Sequence, residues 1–504
     1  MTDVAPNGLP LPTPLTLTLD IGSSSTRAIL FDGQVQVVEG MVEQRSTAMT
    51  TTPDGGAVFD ADQLVESVVG VIDALLARAG DRARQIGAVA TDTLVGNVLG
   101  VDAAGNPITP VYTYADTRNA AEAQAWRADL GAAGAADAHD RTGTLIHTSY
   151  LPARFRWLAR VDLDSFASAA RWVSVGEYLY YRLFGVWRVS YSVASWSGLL
   201  NRRELTWDAE WLAQLPVTVE QLSPLGDLDT PCQGLCAEWA ARWPVLAQVP
   251  WLLPVGDGAA ANIGSGCDTP ERIALTMGTT GAMRVVVGPN VSRVPEGLWL
   301  YRVDADRALL GGATTEGGNL YAWLRQLLRL PDGDALEQEL IGRAPAAHGL
   351  TMLPFVGGER APGWREDARA AIGGLSLHTT PVDVVQAGLE AIAYRFALIY
   401  GRIAPHLSTG EHELIASGGG LLSSPAWLQI MADVLGRPLH ALSEREGTSR
   451  GLALLALEHL GVIARPSALP PSLGKTYLPD AQRHAIHEQA LARQVALYAR
   501  LLGD

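Results

Sequence analysis

Length, composition and an alternation of strand and helix patterns point to an α/β protein of two domains. The chain has 504 residues, well past the size at which one core keeps growing, so two units of roughly 250 residues are expected. Its 48% hydrophobic and 18% charged content, with 52 Gly and 29 Pro, excludes a fibrous or disordered chain. A formal charge of -15 opposes nonspecific nucleic-acid binding, which needs clustered Lys and Arg. No run of about 18 apolar residues appears, so no membrane span is expected. Residues 1–14 lack a basic stretch followed by an apolar run and read as a flexible leader rather than a secretory signal, which predicts a cytoplasmic protein. Cys232, Cys236 and Cys267 are an odd, sparse set with no His nearby, and read as free thiols rather than a disulfide framework or a metal site.

Taken in order, Leu15 to Leu19 and Ala28 to Phe31 read as antiparallel strands flanking the turn Asp20-Ile-Gly-Ser-Ser-Ser-Thr-Arg27. The turn lacks the Gly-x4-Gly-Lys-Ser/Thr pattern and no helix signal follows, so it is not a Walker-type loop. Leu64 to Ala79 carries apolar residues at helical spacing, and Ile86 to Ala90 is the next strand. The pattern resets at Val249-Pro-Trp-Leu-Leu-Pro254, which places the domain boundary between residues 15–252 and residues 253–504. A turn at Gly256-Asp257-Gly258 follows, then the strand Ile273 to Met277 and a second turn within Thr276-Met-Gly-Thr-Thr-Gly-Ala-Met-Arg284. Asp383 to Ile403, Pro425 to Leu435 and Ser449 to Ile463 read as helices, and the strand from His412 ends in Gly418, Gly419 and Gly420.

The two turns carry most of the chemistry. Glycine lets backbone N–H groups approach a ligand and hydroxyls add donors, so such turns suit phosphate oxygens. Gly22, Ser23 and Ser24 in the first turn, with Gly278, Thr279 and Thr280 in the second, read as two halves gripping one polyphosphate. Arg27 reads either as a phosphate donor or as a solvated strand residue. Asp257 reads as a carboxylate able to take a proton from an alcohol, or as an Asp that fixes a Gly turn.

Motifs in a fixed order carry a resemblance: Asp20 to Arg27, Tyr114-Ala-Asp-Thr-Arg118, Gly256 to Gly266, Gly278 to Arg284, Gly358-Glu-Arg-Ala-Pro-Gly-Trp364, Gly374 to Glu390 and Gly418 to Gly436. From about Leu15 to Val462 the chain resembles the FGGY family of carbohydrate kinases. The resemblance implies two ribonuclease-H-like domains of the actin and sugar-kinase superfamily, with ATP and sugar meeting in the cleft between them. It implies ATP and Mg²⁺ as cofactors, Asp257 as general base and substrate contact, and Asp20 as the carboxylate near the metal. Gly418, Gly419 and Gly420 resemble the adenosine motif, with Gly317, Gly318 and Asn319 as a second candidate for that pocket. Asp116 and Arg118 match the family's Asp-x-Arg sugar contact. His147 lies in a segment similar to the first family signature, with Arg154 where a Lys is usual.

Glu359-Arg360-Ala-Pro362 with Trp364 is similar to gluconate kinases, and Arg118 or Arg360 would read a carboxylate bidentately. Ala90-Thr-Asp-Thr-Leu-Val-Gly96 lacks the Met-His and Gln-Arg-Glu contacts of xylulose and glycerol kinases, and also the Met-His of typical gluconate kinases. A gluconate-like acceptor therefore leads, and a xylulose or other ketopentose kinase is the alternative. A nucleotide-binding regulatory protein on an actin-like scaffold is the reading of a different class. The expected partner is a small sugar or sugar acid rather than nucleic acid or membrane, and a homodimer is compatible with this.

Overall fold

A computed structural model describes residues 14–407, 410 and 412–503; apart from Pro14, the expected leader lies outside the described residues. Two mixed sheets dominate. The first runs, in spatial order, Val255–Gly256, Ile86–Thr93, Leu15–Ile21, Ser25–Phe31 and Val37–Ser46. Its last three strands form an antiparallel meander, and its first three run parallel. The second sheet runs Trp299–Arg302, Ala308–Thr314, Gly281–Val287, Arg272–Met277, Glu413–Ser417, Leu439–Leu442 and Leu473–Tyr477. Again a meander leads into parallel neighbours, here Glu413–Ser417 and Leu439–Leu442. This shared wiring is the two-domain α/β fold that the resemblance implies.

Alternation builds the first sheet. Leu15, Leu17, Leu19 and Ile21 point to one face and pack with Leu64, Val68, Val71, Ile72 and Leu75 of the helix Ala61–Ala79. The other face, through Ile29, Ala88 and Ala90, joins the larger core around Ala259, Ile263 and Leu452 to Leu457. Burial on both sides explains why so few charges interrupt these strands.

Local signals set the ends of the helices. The Asp60 side chain accepts from the Gln63 N–H, so the first helix starts at Ala61 rather than Leu64. Pro425–Leu435 matches its expected span; Ser424 caps its start and Gly436 closes it in the left-handed region. One difference matters for chemistry: Asp257 is the first residue of a helix, Asp257–Gly264, rather than part of a turn. The Ala259-Ala-Ala run behind it favours helix strongly enough to continue past Gly258. That helix crosses Gly447–His459 in backbone contact, since a methyl at Gly264 would fall 1.7 Å from the Gly447 carbonyl oxygen. Among the described residues no helix is long and apolar enough to cross a membrane.

Candidate active site

Parallel pairing brings three strand ends to one edge of the first sheet. Asp20 stands opposite Asp92, and Asp92 stands opposite Val255, two residues before Asp257. The three carboxylates interact. Burial pushes Asp20 up to about 6, with Asp257 adding to the effect and Arg27 opposing it. Asp92 is fully buried, neither of its oxygens meets a donor, and burial followed by the charges of Asp20 and Asp257 raises it well above the carboxylate range. Burial also raises Asp257, against the pull of Arg284 and the Gly258 N–H, which donates to Oδ1 at 2.7 Å. Sequence reasoning missed Asp92; the readable sign was a lone Asp inside an apolar strand.

The second turn rests on the glycine-rich segments. Its Gly278 N–H donates to the Thr280 carbonyl at 3.0 Å, while the Gly318 and Asn319 N–H groups donate to Gly278 and Thr279 carbonyls at 2.8 and 3.0 Å. Gly418, at φ +89°, lies so close that a methyl there would sit 2.4 Å from the Met277 carbonyl oxygen. A methyl at Gly420 would meet Gly278 O at 2.9 Å, whereas one at Gly419 would have nothing within 4 Å. The Asn319 side chain is spent locally: its Oδ1 accepts from the Gly317 and Leu320 N–H groups and its Nδ2 donates to the Thr315 carbonyl.

The first turn is a tight hairpin, closed by Gly22 N–H to Ser25 O and steadied by Thr47 N–H to Ser24 O, both at 3.0 Å. Ser23 is half-buried and Ser24 is exposed. The Arg27 guanidinium donates to Glu446 at 3.1 Å, just ahead of the helix Gly447–His459, so it is neither a purely solvated strand residue nor held away from the first turn.

A cavity of about 340 Å³ opens between the second turn and the start of the helix Asp257–Gly264. Asp257, Gly278, Thr279 and Thr280 line it, together with Arg284, Arg360 and an aromatic stack. In that stack Trp196 lies on Tyr301 with ring centroids 3.7 Å apart, and Trp299 lies on Tyr301 at 4.4 Å. Gly22, Ser23, Ser24 and Asp20 are not among its lining residues.

Asp116 and Arg118 reach each other rather than this cavity. Asp116 is fully buried and accepts from Arg118 Nε at 3.1 Å, Arg154 Nη1 at 2.9 Å and the Ala57 N–H at 3.2 Å. Burial works to raise its pKa, yet the two guanidiniums hold it below the usual range. Arg118 also lies over the Trp157 ring at 5.0 Å, so it is engaged twice. Tyr114 of the same motif does line the cavity. His147 lies just behind its wall: its neighbours Ser149 and Tyr150 face inward, and its ring packs on Trp364 at 4.9 Å. Its Nδ1 accepts from the Ser149 N–H at 3.2 Å, and Nε2 lies 3.2 Å from Glu366. Burial pushes His147 down to about 3, helped by the charges of Arg360 and Arg127.

Models of the FGGY family of carbohydrate kinases match both parts of the chain, the N-terminal domain over residues 15–264 and the C-terminal domain over residues 273–458. The gluconokinase of Bacillus subtilis (strain 168) is 26% identical over 474 residues, covering 92% of this chain and 90% of its own. A glycerol kinase of Allorhizobium ampelinum is 29% identical over 465 residues, covering 88% of this chain and 90% of its own. The crystal structure of gluconate kinase from Lactobacillus acidophilus has the same fold, with a TM-score of 0.89 at 23% identity over 97% of this chain and 98% of that one. Matched over both halves, the chain belongs to the FGGY family of carbohydrate kinases, and its reaction is phosphoryl transfer to a carbohydrate or polyol hydroxyl.

Proposed function

We propose that the chain is an ATP-dependent, Mg²⁺-requiring kinase that transfers the γ-phosphoryl group to a hydroxyl of a small open-chain, gluconate-like sugar acid. The observation that carries this reading is Asp257, half-buried at the rim of a sugar-sized cavity whose other wall is the second Gly/Thr turn. Similarity to a gluconokinase supports a sugar acid as acceptor.

In this reading, Asp257 accepts the hydroxyl proton as the bond to phosphorus forms, and burial, by raising its pKa above the ordinary value, makes it a stronger base. Thr279 and Thr280, with the Gly278 backbone, face the transferred phosphate; Gly22, Ser23 and Ser24 hold the rest of the chain of phosphates. Gly418, Gly419 and Gly420 support the adenosine, with Gly419 offering the open surface. Gly318 and Asn319 act by bracing the second turn. Asp116, Arg118 and His147 stiffen the wall behind the acceptor. We place residues 15–252 and 253–504 in two domains that close on the ligands.

Among the described residues no three His, Cys, Asp or Glu side chains form a metal-binding group. That fits Mg²⁺, which takes one or two protein carboxylates and completes its shell with phosphate oxygens and water. Asp20, whose pKa is raised by burial with the charge of Asp257 adding to it, would hold the ion, which neutralises phosphate charge when bound.

Coupled ADP release with a panel of sugars, sugar acids and polyols tests the reading. Release stimulated by a sugar acid is expected. Basal ATP hydrolysis that no acceptor raises would contradict it and favour a nucleotide switch.

A further inference from the structure

Strand register sets the floor of the cavity. Ala282 pairs with Thr276 on one side and Ala313 on the other; two residues further on, Arg284 and Trp299 flank Gly311. With a period of two, these side chains share one face of the sheet. The floor is therefore small beside the turn, cationic at Arg284 and aromatic at Trp299 and Tyr301. Gly311 makes the room, because a methyl there would come within 2.7 Å of the Trp299 ring. Arg360 also lines the cavity and lies over the Trp364 ring at 5.7 Å.

Neither guanidinium has a hydrogen-bonded or ion-paired partner. Among the described residues, Arg284 and Arg360 make no side-chain hydrogen bond and no ion pair, and the Nε of each is closed off from solvent. The fully buried arginines behave differently: Arg154, Arg202, Arg302, Arg395 and Arg450 all bond carboxylates or backbone carbonyls. Both side chains are half-buried, and a partly shielded cation with no acceptor is costly, so a site that keeps two of them is built for a ligand. The charged residues lining the cavity are Asp257, Arg284 and Arg360, which leaves it short of one negative charge.

We infer that Arg284 and Arg360 form a subsite for a carboxylate of the acceptor, with Arg284 the residue that sets specificity for sugar acids over uncharged sugars and polyols. The inference rests on the kinase reading. Guanidinium and carboxylate match in shape and charge, and the adjoining rings of Trp196, Tyr301 and Trp299 give the carbon chain an apolar surface. A nucleotide phosphate is the other source of an anion. Arg284 lies three residues along an extended strand from Gly281, about 10 Å from the turn, which favours the acceptor.

Calorimetric titration without nucleotide separates the sources. D-gluconate and D-xylonate, each against the alditol of the same chain length, are titrated into the wild type and the R284Q and R360Q variants, and ATP affinity is measured on each. At least one acid should bind the wild type about 100-fold more tightly than its alditol. Each substitution should weaken that acid about 10- to 100-fold while ATP affinity, which also reports folding, is unchanged. Equal binding of acid and alditol, or acid affinity that survives both substitutions, would overturn the inference. Lost ATP affinity with acid affinity intact would overturn it too, by giving the arginines to the phosphates. If alditols but no acid stimulate ADP release, the kinase reading stands and the subsite falls. If no acceptor does, while arginine-dependent acid binding persists, the kinase reading falls and the subsite stands.

Discussion

Gly451 packs so closely on Ala260 that a methyl at position 451 would fall 1.9 Å from the Ala260 carbonyl oxygen. The two glycines Gly264 and Gly451 let the helices Asp257–Gly264 and Gly447–His459 meet backbone to backbone. One helix carries Asp257 at its first position, and the other follows Glu446, the partner of Arg27. This crossing therefore sets where the proposed base stands relative to the first turn.

Substituting Gly451→Ala should force the helices apart. A loss of about 1–3 kcal/mol in stability is expected, together with a fall in turnover larger than the change in ATP affinity. Thermal melting and steady-state kinetics check this; a variant with unchanged melting temperature and turnover would show that the crossing does not position Asp257.

The acid limb of the turnover profile should report Asp257. A base works only when ionised, and burial raises this carboxyl above its ordinary 3.8, so activity should fall as pH drops through a value above the ordinary aspartate range. Arg284 opposes that rise. In R284Q at saturating acceptor the limb should move to higher pH; an unmoved limb would mean that the cation does not act on the base.

His147 should make the fold acid-sensitive. Its pKa is about 3 in the native state against an ordinary 6.5, so between those values the unfolded chain binds a proton that the native chain does not. Native stability then declines as pH falls below about 6.5, by up to about 1.4 kcal/mol per pH unit from this group. Melting temperatures at pH 7 and pH 5 should drop further in the wild type than in H147Q. Equal drops would contradict the assignment.

Arg27 and Glu446 offer a test of the link between the first turn and the helix Gly447–His459. Both side chains are about one-third exposed, so the pair itself adds less than about 1 kcal/mol. R27Q and E446Q should therefore melt within a few degrees of the wild type. If Arg27 is released to phosphate when nucleotide binds, R27Q raises the ATP KM and E446Q lowers it. Matching changes in both variants would leave Arg27 as an interdomain tie alone.

Local pattern carried far in this chain, and register did not. The antiparallel strands around the first turn and the helix Pro425–Leu435 were legible because apolar spacing, Pro, Ser and Gly are local signals. The second turn was legible for the same reason, as was Asp257 as a candidate. Asp92 was not, since only parallel pairing brings it between Asp20 and Val255. Asp116 and Arg118 looked like an open sugar contact because nothing nearby in sequence announces Arg154, which closes on Asp116 from a helix further along. Arg27 meets a partner 419 positions away. Arg284 was read as the end of a motif; its place on the cavity floor follows from pairing with Gly311.

Single-turnover transfer of the γ-phosphoryl group from ATP to a sugar acid, in the wild type and in Asp257→Asn, tests the central claim most directly. The account predicts acceptor and ATP affinities close to wild type in the variant, an intact melting temperature, and transfer slowed by about 10²-fold or more. Transfer by Asp257→Asn at a rate close to that of the wild type would contradict it.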